Sequence, residues 1–207
     1  MPIFQNFQER KMKKIKTPVS TDVIMDLKIG DEVEIQGVII TARDAAHKLM
    51  VERKPDFLRE ILKGGIIYHC GPIVKKQGDE WKILSAGPTT SIREEPYEAT
   101  VMEEYGVKCI IGKGGMGNRT LEACKRLGAV YLHAVGGAAT YLSMFIKKVR
   151  DVYYLDELGA PEAFWVLEVD GFPAVVTMDA HGESLHKQVL AESQKKFEDV
   201  LGKKFSV

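Results

Sequence analysis

Four short runs of apolar and β-branched residues do most to limit what this chain can fold into. They are "VEIQGVIIT" from Val33, "IIYHC" from Ile66, "VKCII" from Val107 and "VYLHAV" from Val130. The last three are too short for buried helices and read as buried strands. The segments between them carry a different period. "RDAAHKLMVERKPDFLREILKGG" has helical spacing, broken at Pro55 and stopped at Gly64-Gly65. "SIREEPYEATVMEEYG" turns helical in its second half, and "NRTLEACKRLGA" is a short helix. Strands that alternate with helices predict a layered α/β domain with a partly parallel, mixed sheet.

The remaining segments add detail. "IVKKQGDEWKIL" alternates on both sides of Gln77-Gly78-Asp79, a hairpin signal and hence an antiparallel portion. "GGAATYLSMFIKKV" predicts a helix started by glycine. "AFWVLEV" and "AVVTMDA" predict two strands flanking a turn at Asp170-Gly171, and a polar helix is expected from about Glu183 to Leu201. The polar, basic residues 1–14 read as a flexible arm. No linker composition or repeat divides residues 15–207, which are expected to form a single domain.

Composition removes several classes of function. Lys plus Arg and Asp plus Glu both number 29, so the net charge is zero and nucleic acid is not an expected partner. No apolar run reaches the roughly 18 residues of a membrane span. Cys70, Cys109 and Cys124 are far apart and lack C-x-x-C spacing. This pattern points to the reducing cytoplasm and against a metal or cluster site built by this chain alone.

The most suggestive motif is "IIGKGGMG", in which Gly112, Gly114 and Gly117 fit the G-x-G-x-x-G of dinucleotide binding. A Rossmann site also needs an acid at the end of the next strand to hold a ribose. Here "VYLHAV" runs into Gly136-Gly137 with no acid. A phosphate loop fails too, because its lysine should follow the glycines and precede Ser or Thr. What survives is a strand end and a helix N-terminus, a natural seat for an anion, with Lys113 beside it as a point charge.

Two arginines stand in similar places. Arg93 follows the hydroxyl cluster of "GPTTSIR", where a guanidinium could clamp a planar carboxylate and the cluster could equally be a helix cap. Arg43 in "TARDAAHK" lies past a strand end, and its plain alternative is a salt bridge with neighbouring Asp44. His47 is read as a partner within its helix, and His69, His133, His181 and His186 as structural or surface residues. Asp179, His181 and His186 in "MDAHGESLH" match no zinc spacing. Since Arg43, Arg93 and Lys113 each follow a strand, all three are expected on one edge of the sheet, as a site for a small dicarboxylate.

"TARDAAHK", "GPIVKK", "AGPTTSIR", "GKGGMG" and "AVGGAA" occur in the order and spacing of the beta subunit of two-subunit class I fumarases. They resemble the C-terminal domain of the single-chain forms as well. The L-tartrate dehydratase beta subunit shares much of this pattern, and "ARDAAH" is closer to the fumarase form. The resemblance implies a swivelling domain of β/β/α layers and a hydro-lyase active only with an alpha subunit, in a heterotetramer. It implies that the alpha subunit carries a [4Fe-4S] cluster, with no cluster ligand here. Thr89 is implied as the base that takes the carbon-bound proton, and Arg43, Arg93 and Lys113 as carboxylate-binding cations. Such a division suits the chemistry, because removing a proton beside a carboxylate builds charge that cations must meet. A threonine is a poor base unless activated, and nothing beside Thr89 in sequence could do this, so the alpha subunit is expected to. A carboxylate-binding module without chemistry is the alternative of a different class.

Overall fold

The computed structural model of the chain describes residues 12–202. Its strands are β1 (Lys13–Lys16), β2 (Glu32–Thr41), β3 (Ile66–Tyr68), β4 (Ile73–Gln77), β5 (Glu80–Ser85), β6 (Cys109–Gly112), β7 (Val130–His133), β8 (Ile146–Tyr153) and β9 (Phe164–Met178). The helices are α1 (Thr21–Asp26), α2 (Asp44–Arg53), α3 (Phe57–Leu62), α4 (Glu95–Tyr105), α5 (Asn118–Leu127), α6 (Ala139–Ser143), α7 (Leu155–Leu158) and α8 (Leu185–Leu201). A 3-10 turn, Ser91–Glu94, leads into α4.

The fold is mixed α/β with a mixed sheet. Strands β1, β2, β3, β6 and β7 run parallel, and β9 is antiparallel to β2, β7 and β8. Because β9 bonds to both β7 and β2, the sheet curls until its two sides face each other. Tyr68, Trp165, Phe172 and Val176 fill the space inside. The opposite face buries Leu49, Met50, Val101, Met102 and Leu121 of α2, α4 and α5. Strands β3, β6 and β7 thus have apolar neighbours on both faces, which is why their sequences read as continuous apolar runs. The hairpin β4–β5 forms a small separate sheet, and its Trp81 packs edge-on against Trp165 at 5.2 Å.

Three expectations need correction. The helix predicted from Gly136 stops at Ser143, and Ile146–Tyr153 is strand β8, paired to the first half of β9. The β-branched residues Ile146, Val149 and Val152 find strand partners there, and pairing overrides their local helical spacing. The two strands expected around Asp170-Gly171 are one strand, β9. Gly171 takes a positive φ of 71°, yet Phe172 continues the pairing with Ile35 of β2, so the turn is a bend within a strand. At the N-terminus, β1 begins at Lys13, inside the segment expected to be an arm. Lys13 Nζ is 2.9 Å from Asp26 and 3.0 Å from Asp31, which ties the segment down. Residues 1–11 of the expected arm lie outside the described residues.

Candidate active-site rim

Parallel neighbours present their carboxyl ends at one edge of the sheet, the usual position for ligands in α/β folds. Arg43 lies two residues past β2, and Lys113 directly follows β6. The loop Pro88–Ser91 is laid between the extensions of β3 and β6. Thr89 N–H donates to the His69 carbonyl at 2.7 Å, and Lys113 N–H donates to the Thr89 carbonyl at 3.2 Å. Ser91 N–H returns a bond to the Lys113 carbonyl at 3.0 Å. Thr89 and Lys113 are therefore held in register by backbone, like a short extra strand. Arg43 approaches from the other side, since a side chain at Gly71 would strike its guanidinium. Thr89 Oγ1 is shielded from solvent and has no hydrogen-bond partner among the described residues. The neighbouring Thr90 is exposed.

Two carboxylates hold the arginines. Asp44 pairs with Arg93 at 3.3 Å, and Glu162 pairs with Arg43 at 3.3 Å. Arg43 is thus not neutralised by its sequence neighbour alone, as the plain alternative supposed. The Glu162 carboxylate also accepts the Ala45 N–H at 3.0 Å, capping the first turn of α2. The Glu94 carboxyl is fully buried and faces Asp44. Burial, with the Asp44 charge beside it, raises the Glu94 pKa to about 8.

Behind the rim runs a buried polar chain. The Tyr131 hydroxyl donates to Ser91 Oγ at 2.9 Å, and Ser91 Oγ lies 2.8 Å from His69 Nδ1. His69 Nε2 and His47 Nε2 both meet Glu98 Oε2, at 2.9 and 3.2 Å. His47 Nδ1 is 2.9 Å from the Arg43 carbonyl. One proton assignment fits these contacts. Ser91 donates to His69 Nδ1, His69 Nε2–H donates to Glu98, and an imidazolium at His47 donates Nδ1–H to the Arg43 carbonyl while pairing with Glu98 by charge. Burial opposes charge on His47, but the Glu98 carboxylate outweighs it and raises its pKa. Burial keeps His69 neutral by lowering its pKa. Burial alone would raise Glu98, but the two histidines bring it down to about 2. The ligand atoms of His47, His69 and Glu98 lie within 4.8 Å of one another, close enough for a cation, but this assignment leaves no ring lone pair for one.

The glycine motif serves this packing. A Cβ at Gly112 would run into Ser91 Oγ, and one at Gly115 would reach 2.6 Å from the His186 ring. The N-terminus of α5, the expected anion seat, is already filled. Glu95 accepts from Gly117 N–H at 2.8 Å, Arg119 N–H at 3.0 Å and the Thr120 hydroxyl at 2.6 Å. An external phosphate would have to displace this carboxylate, which is a physical argument against nucleotide binding. Asp179 is similarly engaged, accepting the backbone N–H groups of Ile29, His181 and Glu183 at 3.0–3.1 Å.

Asp44, Glu94, Glu98 and Glu162 were not singled out by the sequence as parts of the site. Glu94 and Glu98 did carry a signal, being four residues apart and so on one face of the coming helix. Glu162 had none, because it reaches the rim from 119 positions beyond Arg43 (162 − 43), after strand β8.

Comparison with known proteins shows the family. The family model described as the fumarase C-terminus matches residues 2–189. A Geobacillus stearothermophilus protein named "Putative fumarate hydratase class I" is 47% identical over 91% of this chain, which spans 36% of that protein. "Putative L(+)-tartrate dehydratase subunit beta" of Methanocaldococcus jannaschii is 43% identical over 86% of this chain and 93% of its own length. The L(+)-tartrate dehydratase subunit beta of Escherichia coli strain K12 is 39% identical over 90% of each chain.

Proposed function

For a chain that belongs to the fumarase C-terminal family, we propose the role of beta subunit in a hydro-lyase that interconverts fumarate and L-malate. One observation carries the assignment of the base. Thr89 Oγ1 is shielded from water, has no partner among the described residues, and is locked by backbone beside Lys113. A buried hydroxyl costs free energy unless something hydrogen-bonds it, so the vacancy suits a reacting group. In dehydration, Thr89 Oγ1 takes the proton from the carbon beside a carboxylate. The C–H electron pair forms the new double bond, and the hydroxyl leaves the adjacent carbon with the C–O electron pair, takes up a proton and departs as water. Arg43, Arg93 and Lys113 bind the carboxylates and meet the charge that develops on them.

Thr89 must enter this step deprotonated, and no described basic side chain bonds its hydroxyl. The activating group is assigned to an alpha subunit that completes the site. The [4Fe-4S] cluster implied by the family does not fit the thiols here. Cys70, Cys109 and Cys124 are buried on separate elements, and burial pushes all three thiols up, Cys70 to about 12. A thiolate is what a cluster needs. The cluster is therefore assigned to the alpha subunit, and no step is assigned to it here. A heterotetramer of two alpha and two beta chains in the cytoplasm is part of the same proposal. Among the described residues no helix is long and apolar enough to cross a membrane.

The second reading is an L-tartrate dehydratase, favoured by two relatives of that name that this chain spans almost end to end. A complex reconstituted with the alpha subunit and offered fumarate, malate and tartrate separates the two. In that complex Thr89→Ala should lower kcat by roughly 10²–10⁴-fold, the usual cost of removing a general base. Thr90→Ala, next door and exposed, should not. Arg93→Lys should raise KM, since an ammonium lacks the planar fork. Equal damage from both threonine variants, or near-normal turnover by Thr89→Ala, would reject Thr89 as the base. Tight binding of malate by the isolated chain would instead favour a non-catalytic module.

A further inference from the structure

Glu94 is a buried carboxyl beside the rim that the proposed reaction does not use. It is fully buried, and neither of its oxygens has a donor among the described residues. What it faces is another carboxyl, that of Asp44 at the start of α2, the helix packed on the 3-10 turn that carries Glu94. Two carboxylates in contact cannot both be ionised without strong repulsion. A single proton between them turns the repulsion into a short hydrogen bond. The surroundings decide which group keeps it. Asp44 is partly exposed and lies 3.3 Å from the Arg93 guanidinium, with Arg43 adjacent, so it favours the charged form. Glu94 is buried where the 3-10 turn packs on α2, and neither of its oxygens meets a cation directly among the described residues. His47 on α2 opposes its protonation, while Asp44 favours it. Tyr131 on β7 and Glu98 on α4 are the other ionisable groups near it.

We propose that Glu94 is a positioning residue that donates its carboxyl proton to Asp44, so that Asp44 holds Arg93 in place for the substrate. This rests on the functional assignment above only for the role of Arg93. Charge at the rim supports it. Arg43, Arg93 and Lys113 face the carboxylates of Asp44 and Glu162, which leaves one net positive charge to attract a dicarboxylate. Ionisation of Glu94 would cancel that surplus. It would also set two carboxylates against each other behind Arg93. The affinity for a dianionic substrate should therefore fall once Glu94 loses its proton. Because the two carboxyls are coupled, the loss is a property of the pair, not of Glu94 in isolation.

The test has two arms. In the first, the chain is labelled with 13C at the Glu side-chain carboxyl and titrated by NMR. One glutamate signal should titrate near pH 8, vanish in Glu94→Gln, and move to lower pH in Asp44→Asn, where the partner is no longer charged. A Glu94 signal that titrates in the ordinary carboxylate range overturns the proposal. In the second, KM and kcat of the reconstituted complex are followed from pH 6 to pH 10. Wild-type KM should rise about tenfold per pH unit above the transition, as expected for binding that requires one proton, with kcat changing far less. Glu94→Gln keeps a donor that cannot titrate and should flatten this limb. Glu94→Ala removes the donor and should raise KM at every pH. An alkaline KM limb unchanged in Glu94→Gln overturns the positioning role. If the complex turns over no substrate at any pH, the hydro-lyase assignment fails, whereas the titration still decides where the proton sits.

Discussion

At the scale of single residues, the site rests on charges that its environment pushes in opposite directions. Glu94 is raised to about 8, and Glu98, four residues on, is depressed to about 2. Burial works on both, but Glu98 meets two imidazoles and Glu94 meets a carboxylate. The consequences for stability therefore differ in sign. A carboxylate depressed in the fold contributes stability above its unfolded value, here 4.5, and loses it as pH falls through about 2. His47, raised above 6.5, contributes below that value and loses its share as pH rises through its folded value. The pair should support the fold most between those limits. Glu98→Gln removes one partner of a buried ion pair and should cost about 3–5 kcal/mol near pH 6. It should also flatten the acid loss of stability below pH 4.5, which a series of urea melts at stepped pH would show. A wild-type acid limb retained in this variant would mean that other carboxylates dominate acid unfolding.

At the scale of elements, the least expected finding concerns α5. Its N-terminus follows a strand and a glycine loop, which makes it look ready for a phosphate, yet a side chain from α4 occupies it. Glu95→Ala should expose those donors and lower stability by about 1–2 kcal/mol, as expected for loss of a strong helix cap. Added sulfate or phosphate should recover part of that loss in the variant and little in the wild type, as thermal melts with and without the anion would reveal. No recovery in the variant would show that the seat is closed by packing as well as by charge. The same element shows what was legible in advance. Strands β2, β3, β6 and β7 and helices α2 to α5 stood out because each buried face imposes its own period on a short segment. The strand ends beyond them pointed to Arg43 and Lys113 and the loop after β5 to Arg93, whereas Thr89 was singled out only by the family resemblance. The failures were at β1, inside the expected arm, and at β8 and β9, where pairing with distant strands decides the outcome and local spacing says little. Glu95 filling α5, and Glu162 holding Arg43, are contacts between distant parts of the chain, which no local pattern encodes.

At the scale of the whole molecule, the core and the site are separable. Two apolar clusters, one inside the curled sheet and one under α2 to α5, give the chain its own interior. Nothing in either cluster calls for a partner to complete it. The rim is different: Arg43 and Lys113 follow parallel strands at one end of the sheet, the candidate base has no described group to activate it, and the chain's thiols are buried in the core on separate elements. A chain built this way should fold alone in one cooperative transition and yet be inert. Purified by itself, it should contain no stoichiometric iron or sulfide and should turn over neither malate nor tartrate. Activity should appear on adding the cluster-bearing alpha subunit and should saturate at equal amounts of the two chains. That stoichiometry is what the proposed pairing of one rim per chain with one alpha subunit predicts. Iron and sulfide bound to the isolated chain would overturn the division of labour, because the buried thiols would then have to open to hold them. Saturation at half an equivalent would instead mean that one rim serves two clusters, which a single set of three cations and one threonine could not do at once.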